Sequence, residues 1–337
     1  MIALLRYGSG LPFNRLKQLQ ESFGIPLAAS NQWEIVEEIG KKIATALDEL
    51  IRQAAQGKVI HNDDTNMKVL SLIKKDDENQ RRGVYTTGIL SMVGDYKIAI
   101  FKTGNKHAGE NLTDVLEYRK QGMEPPIQMC DGLSRNHPSE KFITIVANCM
   151  THGRRKFVDI LSDFPQECHY VLDIMGAVYN NDDTTKKEKM SPEGRLLFHQ
   201  QHSGPLMETL YSWIDTEIKA RNIEPNSGLG KAISYMHKRW NKLTLFLRVA
   251  GAPLDNNLCE QILKRAIVHR KNSLFYKTPN GAYIGDLFMS LIHTCHLNNV
   301  NAFEYLTELQ KHIEELRANP SIWMPWNFKE TIDLANK

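Results

Sequence analysis

The sequence predicts an α/β protein: a mixed sheet core interrupted by a long all-α insertion and flanked by helices. Three observations predict it. β-type runs cluster between about residues 58 and 149, helical spacing of apolar residues precedes them, and strand signals nearly vanish from Arg154 onward. The 337 residues, 42% hydrophobic and 24% charged, are ordinary globular composition and exclude a collagen-like, disordered or disulfide-stapled chain. At roughly 150 residues per domain this length suggests two domains, or one core with a large insertion.

Taken in order, Ser30 precedes apolar residues at three- and four-residue steps, Trp33, Ile35, Val36, Ile39, Ile43, Leu47, Leu50, Ile51 and Ala54, ending at Gly57. This spacing predicts one long amphipathic helix in a helical segment over 1–57. KVIHNDD is a short β-type run ending in acids. GVYTTGILSMVGD and YKIAIFKTG read as a hairpin turning at Gly94-Asp95, HAGENLTDVLEYRKQG as a helix, and PPIQMCD and FITIVANCM as the fourth and fifth strands. Together, 58–156 make the core strands. Helical spacing in LLFHQQHSGPLMETLYSWIDTEIKARN and LGKAISYMHKRWNKLTLFLRV places an insertion over 157–250, and residues 180–194, NNDDTTKKEKMSPEG, are its best loop candidate. Core helices are expected over 251–310 and a tail over 311–337. This order matches a ribonuclease-H-like core, in which the first and fourth strands lie side by side and acids at their C-terminal ends converge. Asp63 and Asp131 are expected at those two ends.

Acids just past strand ends suit a metal site, because two carboxylate-held ions about 3.5–4 Å apart activate water and stabilise the leaving oxygen at a phosphodiester. Turn or helix-capping roles are the alternative. Downstream, Asp255 or Asn256 can cap a helix through Leu258, Ile262 and Ala266, placing Glu260 in its first turns and Lys264 one turn on. Charge is concentrated in the same region. Between Lys231 and Lys277 there are ten Lys/Arg against only Asp255 and Glu260, although the whole chain is only +3. Such an excess attracts polyanions, and a solvated helical face is the competing explanation.

DNNLCEQILKRAIVHRKNSLF resembles the Asp-Asn-Asn-x-x-Glu signature of the insertion-sequence-66 transposase family. HNDDT is similar to that family's block around its first catalytic acid, MCDG to the block at the second, and CMTHGRRKF to its Cys-x-x-His-x-Arg-Arg-Lys-Phe block. LIHTCHLNNVNAFEYL and WMPWNF resemble its C-terminal helix and tail. Several blocks in family order, from about residue 5 to about 330, are more specific than any one motif. Asp64 stands where the family usually has Glu, Met150-Thr151 replaces Trp-Ala, and Gly132-Leu133 follows Asp131 without the usual aromatic.

The resemblance implies an Asp-Asp-Glu DNA transposase of an insertion sequence, with Asp63, Asp131 and Glu260 as metal-binding catalytic carboxylates. It implies Mg²⁺, with Mn²⁺ as a substitute and two ions per site, hydrolysis at element ends, and strand transfer by the 3′-hydroxyl. Arg154, Arg155, Lys156, Lys264, Arg270, Lys271 and Asn272 are the expected DNA contacts, and Cys149, His152, Asn256 and Asn257 have structural roles. The expected partners are element-end and target DNA, further copies of the chain assembled on DNA, and accessory proteins of the same element. A truncated, non-catalytic DNA-binding remnant or regulator is the alternative, since the family's N-terminal coiled coil, zinc-binding segment and helix-turn-helix are not visible here.

The remaining signals are weaker. Cys149 and His152 have the spacing of half a zinc site with no second pair evident, so zinc is not expected. The five cysteines read as reduced thiols. Gly228-Leu229-Gly230-Lys231 lacks phosphate-loop spacing. Trp240, Lys242, Phe246 and Arg248 can either stack on unpaired bases or, for the two aromatics, pack in a core. With no membrane span or secretory signal, a soluble cytoplasmic protein is expected.

Overall fold

The structure, a computed structural model, describes residues 1–73, 83–220 and 223–335. After a π-helical turn at Leu4–Gly8 come helices α1 (Phe13–Ser22), α2 (Ala29–Lys42) and α3 (Ala44–Ala54), strand β1 (Val59–Asn66) and the short α4 (Leu70–Ile73). Strands β2 (Tyr85–Val93) and β3 (Tyr96–Gly104), helix α5 (Ala108–Leu116), and strands β4 (Ile127–Cys130) and β5 (Ile145–Asn148) follow. The rest is helical: α6 (Met150–Val158), α7 (Pro165–Lys187), α8 (Pro192–His202), α9 (Gly204–Ala220), α10 (Gly228–Leu243), α11 (Asn257–Ser273), α12 (Pro279–Leu297), α13 (Ala302–Lys311), α14 (Ile313–Ala318) and α15 (Phe328–Ala335). The five strands form one mixed sheet, ordered β3-β2-β1-β4-β5.

The chain divides into two compact units, one of residues 1–126, 134–143 and 258–337, the other of residues 127–133 and 144–257. In the first, β1, β2 and β3 form an antiparallel meander in which Asp63 pairs with Gly88, and Gly88 with Phe101. The expected hairpin turns at Gly94, whose φ of 57° suits glycine. The long helix expected from Ser30 to Gly57 is instead two helices meeting at Ile43, which leaves helical geometry (φ −101°, ψ 12°) with its side chain fully buried.

Helix α12 covers β3, the strand at the end of the sheet order, through side chains spaced four residues apart. Asp286 accepts from Thr103 N (2.6 Å), Ser290 from Phe101 N (2.9 Å), Thr294 from Ala99 N (3.0 Å) and Asn298 from Lys97 N (3.1 Å). Two strand residues advance about 6.6 Å and four helical residues about 6.0 Å, so the two periods stay matched over this length. The strand's outward N–H groups are thereby satisfied without another strand, which removes the pairing hazard of an open edge.

In the second unit β4 and β5 run parallel, Ile127 beside Ile145 and Cys130 beside Asn148, and α6 to α10 build a helical body. Residues 180–194 are not a loop. α7 continues to Lys187 and α8 starts at Pro192 under a Ser191 cap that accepts from Gly194 N at 3.0 Å, leaving only 188–191 between them. The polar composition misleads because Asp182 is buried: Arg195 and Lys186 both reach it at 2.6 Å, and His199 at 3.3 Å. Gly228–Lys231 is the first turn of α10, capped by Ser227. A Cβ at Gly230 would stand 2.2 Å from the Glu224 carbonyl oxygen, so close packing explains that glycine.

Candidate active site

The first unit carries Asp63 and Glu260. Asp63 lies within β1 rather than at its end, since pairing continues to Asn66 opposite Tyr85. Successive strand residues face opposite ways, which separates Asp63 from Asp64. Asp64 is almost wholly buried at the start of α5, where its carboxylate meets His107 Nδ1 (3.0 Å), Ala108 N (3.3 Å) and Arg135 (3.5 Å). A helix N-terminus stabilises a carboxylate, so Asp64 is committed to holding α5. Asp63 Oδ1 accepts from Asp64 N at 2.8 Å.

Residues directly opposed in an antiparallel pair face the same side of the sheet, so Gly88 marks the side toward which Asp63 points. That side is covered by α11. A Cβ on Gly88 would lie 2.9 Å from Leu263 Cγ and 3.5 Å from Ile262 Cδ1, and Cys259 Sγ donates to the Gly88 carbonyl oxygen at 3.4 Å. Glu260 stands in the first turn of α11, next to Cys259, on the helix seated over the strand partner of Asp63. At the other end of α11, Arg270 donates to Thr65 Oγ1 (3.3 Å) and to the Asn66 carbonyl oxygen, tying the helix to the end of β1. Lys264 and Lys271 are exposed, and Asn272 is half-buried beside Gly10.

The second unit carries Asp131, immediately after β4 as expected. Its Oδ1 accepts from Leu133 N at 3.0 Å, and its carbonyl oxygen from Asn148 Nδ2 at 3.4 Å. Arg239 Nη2 donates to the Gly132 carbonyl oxygen at 3.1 Å while its guanidinium lies 4.3 Å from the centre of the Tyr235 ring. Lys156 Nζ lies 4.8 Å from the same ring. Burial pushes the Tyr235 phenol up to about 12, against the opposing effect of Arg239, so it stays neutral. Arg239 is thus held beside Asp131 and shares the Tyr235 ring with Lys156, while Arg154 and Arg155 are exposed on the same helix as Lys156. Sequence reasoning counted Arg239 in the basic segment but missed this role. The signal was its four-residue spacing from Tyr235, which becomes informative only once α10 is known to pack on β5.

Cys149 precedes α6, and its Sγ accepts from Asn256 N at 3.2 Å; Met150 N donates to the Leu254 carbonyl oxygen at 3.2 Å. Thr151 Oγ1 reaches Tyr179 at 2.8 Å and Asn257 Oδ1 at 3.4 Å. Asp255 accepts from Asn257 N (3.0 Å) and Nδ2 (2.8 Å), closing the turn that starts α11. Asn256 is fully buried and His152 half-buried. All five cysteines are reduced and buried. Among the described residues, no helix is long and apolar enough to cross a membrane.

The chain is thus a mixed α/β protein with Asp63 on β1 and Glu260 on α11 in one unit, and with Asp131 after β4, beside Arg239, in the other. The chain belongs to the Transposase IS66 family, whose family model matches residues 1–284. It is similar to three proteins of Sinorhizobium fredii (strain NBRC 101917 / NGR234), each described as uncharacterized. Identity to y4qI is 22% over 97% of this chain and 61% of that protein; to y4jD it is 29% over 55% and 36%, and to y4hP 27% over 54% and 35%. The chain therefore spans less than two thirds of the length of each of these relatives.

Proposed function

We propose that the chain is the catalytic part of an insertion-sequence transposase of the Asp-Asp-Glu type, built on a ribonuclease-H-like core, with Asp63, Asp131 and Glu260 as its metal-holding carboxylates. The observation that carries this reading is the seat of α11: the turn bearing Glu260 packs on Gly88, the cross-strand partner of Asp63, on the side of the sheet that Asp63 faces. The strand order and the position of Asp131 directly after β4 support it.

The donor set suits a hard divalent cation, since three carboxylates offer oxygen ligands of the kind Mg²⁺ prefers. Asp63, Asp131 and Glu260 would hold two Mg²⁺ ions, which would supply an activated water and charge neutralisation at the scissile phosphate. The chain's own part is positioning. Arg239 and Lys156, braced on Tyr235, bind phosphates beside Asp131, and Arg154, Arg155, Lys264, Lys271 and Asn272 extend the contact along the backbone. Arg270 reaches DNA only by giving up its ties to β1, so its main task is to hold α11. Cys149, Asn256 and Asn257 hold the turn from which α11 starts, and His152 packs one turn into α6 in the same structural block.

In the first reaction water attacks the phosphodiester at the element end and a 3′-hydroxyl leaves. In the second that hydroxyl attacks a target phosphodiester and displaces another 3′-hydroxyl. Both are in-line phosphoryl transfers. Two ends must be held together for this, so assembly of two or more copies on DNA, with or without accessory proteins of the element, belongs to the same proposal.

The test is Mg²⁺-dependent nicking of element-end DNA by the chain and by its Asp63→Ala and Glu260→Ala variants. Each variant is expected to lose nicking while keeping its circular dichroism spectrum. Retained nicking overturns the site assignment, and salt-sensitive DNA binding with no metal-dependent nicking by the intact chain leaves a DNA-binding remnant.

A further inference from the structure

A cavity of about 640 Å³ opens in the helical unit between α9, the end of α10 and the turn after it. Tyr211, Trp240, Arg248 and Glu208 stand on its walls, with Met207 and Leu247 as its apolar part. The size falls in the range of about 300–1,000 Å³ typical of sites for small organic groups. Its aromatic wall is ordered: Tyr211 lies 5.0 Å from Trp240 and is stacked at 5.9 Å on His237. Phe246, in contrast, is buried, edge-on to His199 at 5.0 Å. Of the two aromatics in this stretch, Trp240 lines the cavity and Phe246 does not.

The charged side chains on its wall are Arg248 and Glu208, and Arg248 belongs to a basic stretch. From Gly228 to Leu254 the chain carries Lys231, Lys238, Arg239, Lys242 and Arg248 and no acid. Arg248 is fixed at the rim, donating to Thr244 Oγ1 at 3.0 Å and to the Asn241 carbonyl oxygen. A flat group that stacks on indole, attached to a phosphate, fits both features. The lone acid on the wall, Glu208, is a hydrogen-bond acceptor that suits an exocyclic amino group.

We infer that this cavity binds one unpaired nucleobase of a DNA strand, stacked on Trp240 with its neighbouring phosphate on Arg248. The inference rests on the DNA-processing reading above and deepens it: the substrate includes a base taken out of the duplex stack. A base still paired in a duplex cannot enter, because its faces are covered by its neighbours and its edge by its partner.

The test uses two duplexes of the same sequence, differing only in whether a single 2-aminopurine is paired or extrahelical, without divalent metal so that no cutting occurs. The intact chain is expected to bind the extrahelical duplex about tenfold more tightly, the size of one base–aromatic stack, and to quench its fluorescence below that of the free duplex. Trp240→Ala and Arg248→Gln should each remove most of that preference, and Trp240→Phe should restore part of it. Arg248 lies at the exposed rim, so its variant reports even if Trp240→Ala fails to fold. Equal binding of the two duplexes with no quenching overturns the inference and leaves the transposase reading standing. Failure to bind either duplex overturns both.

Discussion

Leu263 of α11 fills the space over Gly88 that a side chain would take: a Cβ there would lie 2.9 Å from its Cγ. Because Gly88 pairs with Asp63, this contact sets how closely the Glu260 helix approaches the strand of the first acid. Gly88→Ala should shift α11 outward. We expect a stability loss of about 1–3 kcal/mol, the usual cost of overpacking, and a loss of nicking larger than that destabilisation explains. Urea unfolding and nicking rates on the same preparation check this; a variant that is destabilised but fully active would show that the seat of α11 does not matter to chemistry.

A similar close approach exists at the second acid. A Cβ on Gly132 would stand 2.1 Å from Arg239 Nε, so Gly132→Ala must displace the guanidinium from its place on Tyr235. The displaced group is a side chain, so stability should fall by no more than about 1 kcal/mol, as for a surface change. DNA affinity should fall to match that of Arg239→Ala, with a shallower dependence on salt for both. Fluorescence anisotropy at several salt concentrations measures it. An unchanged salt slope would take Arg239 out of the phosphate contact.

Asp63 and Asp64 are neighbours with different tasks, and substitution separates them. Asp64→Asn removes a buried charge partner of His107 and Arg135 and should cost about 1–3 kcal/mol of stability. Asp63→Asn should leave the unfolding midpoint nearly unchanged and abolish nicking. The reverse pattern would move the catalytic role to Asp64.

Asp286 gives a pH signature to the α12–β3 contact. Burial drives its carboxyl up to about 7, although Thr103 donates to it through both backbone N and Oγ1. Its folded value lies above the ordinary 3.8, so its contribution is fully present below about pH 4 and is lost as pH rises through about 7. About three pH units correspond to stability on the order of 4 kcal/mol. Asp286→Asn carries no such proton. Relative to that variant, the intact chain should become less stable in urea between pH 4 and pH 8; parallel curves would show that the buried carboxyl does not titrate in this range.

The five strands and the carboxylate on a helix were legible because they rest on local patterns: alternation, a Gly94 turn, and a capping turn before α11. The break at Ile43 was not, because the apolar stripe runs through it unchanged. The helix over 180–187 was hidden by its composition, since nothing local shows that Asp182 is buried against Arg195 and His199 on the next helix. Asp63 was placed at a strand end because acids commonly follow strands, whereas the hydrogen-bonded register runs on to Asn66. The same limit applies to Gly132 and Arg239, 107 residues apart: both residues are visible in the sequence, but the contact of the guanidinium with the Gly132 carbonyl depends on how α10 packs.

Mn²⁺ binding in the presence of short duplex DNA, followed by electron paramagnetic resonance for the intact chain and for Asp63→Asn, Asp131→Asn and Glu260→Gln, is the most direct test of a three-carboxylate metal site. DNA is included because phosphate oxygens complete such sites. The intact chain should bind the ion and each variant should bind it at least tenfold more weakly while still binding DNA. Wild-type metal affinity in the Asp131→Asn variant would contradict the site, because it would leave the carboxylate after β4 outside it.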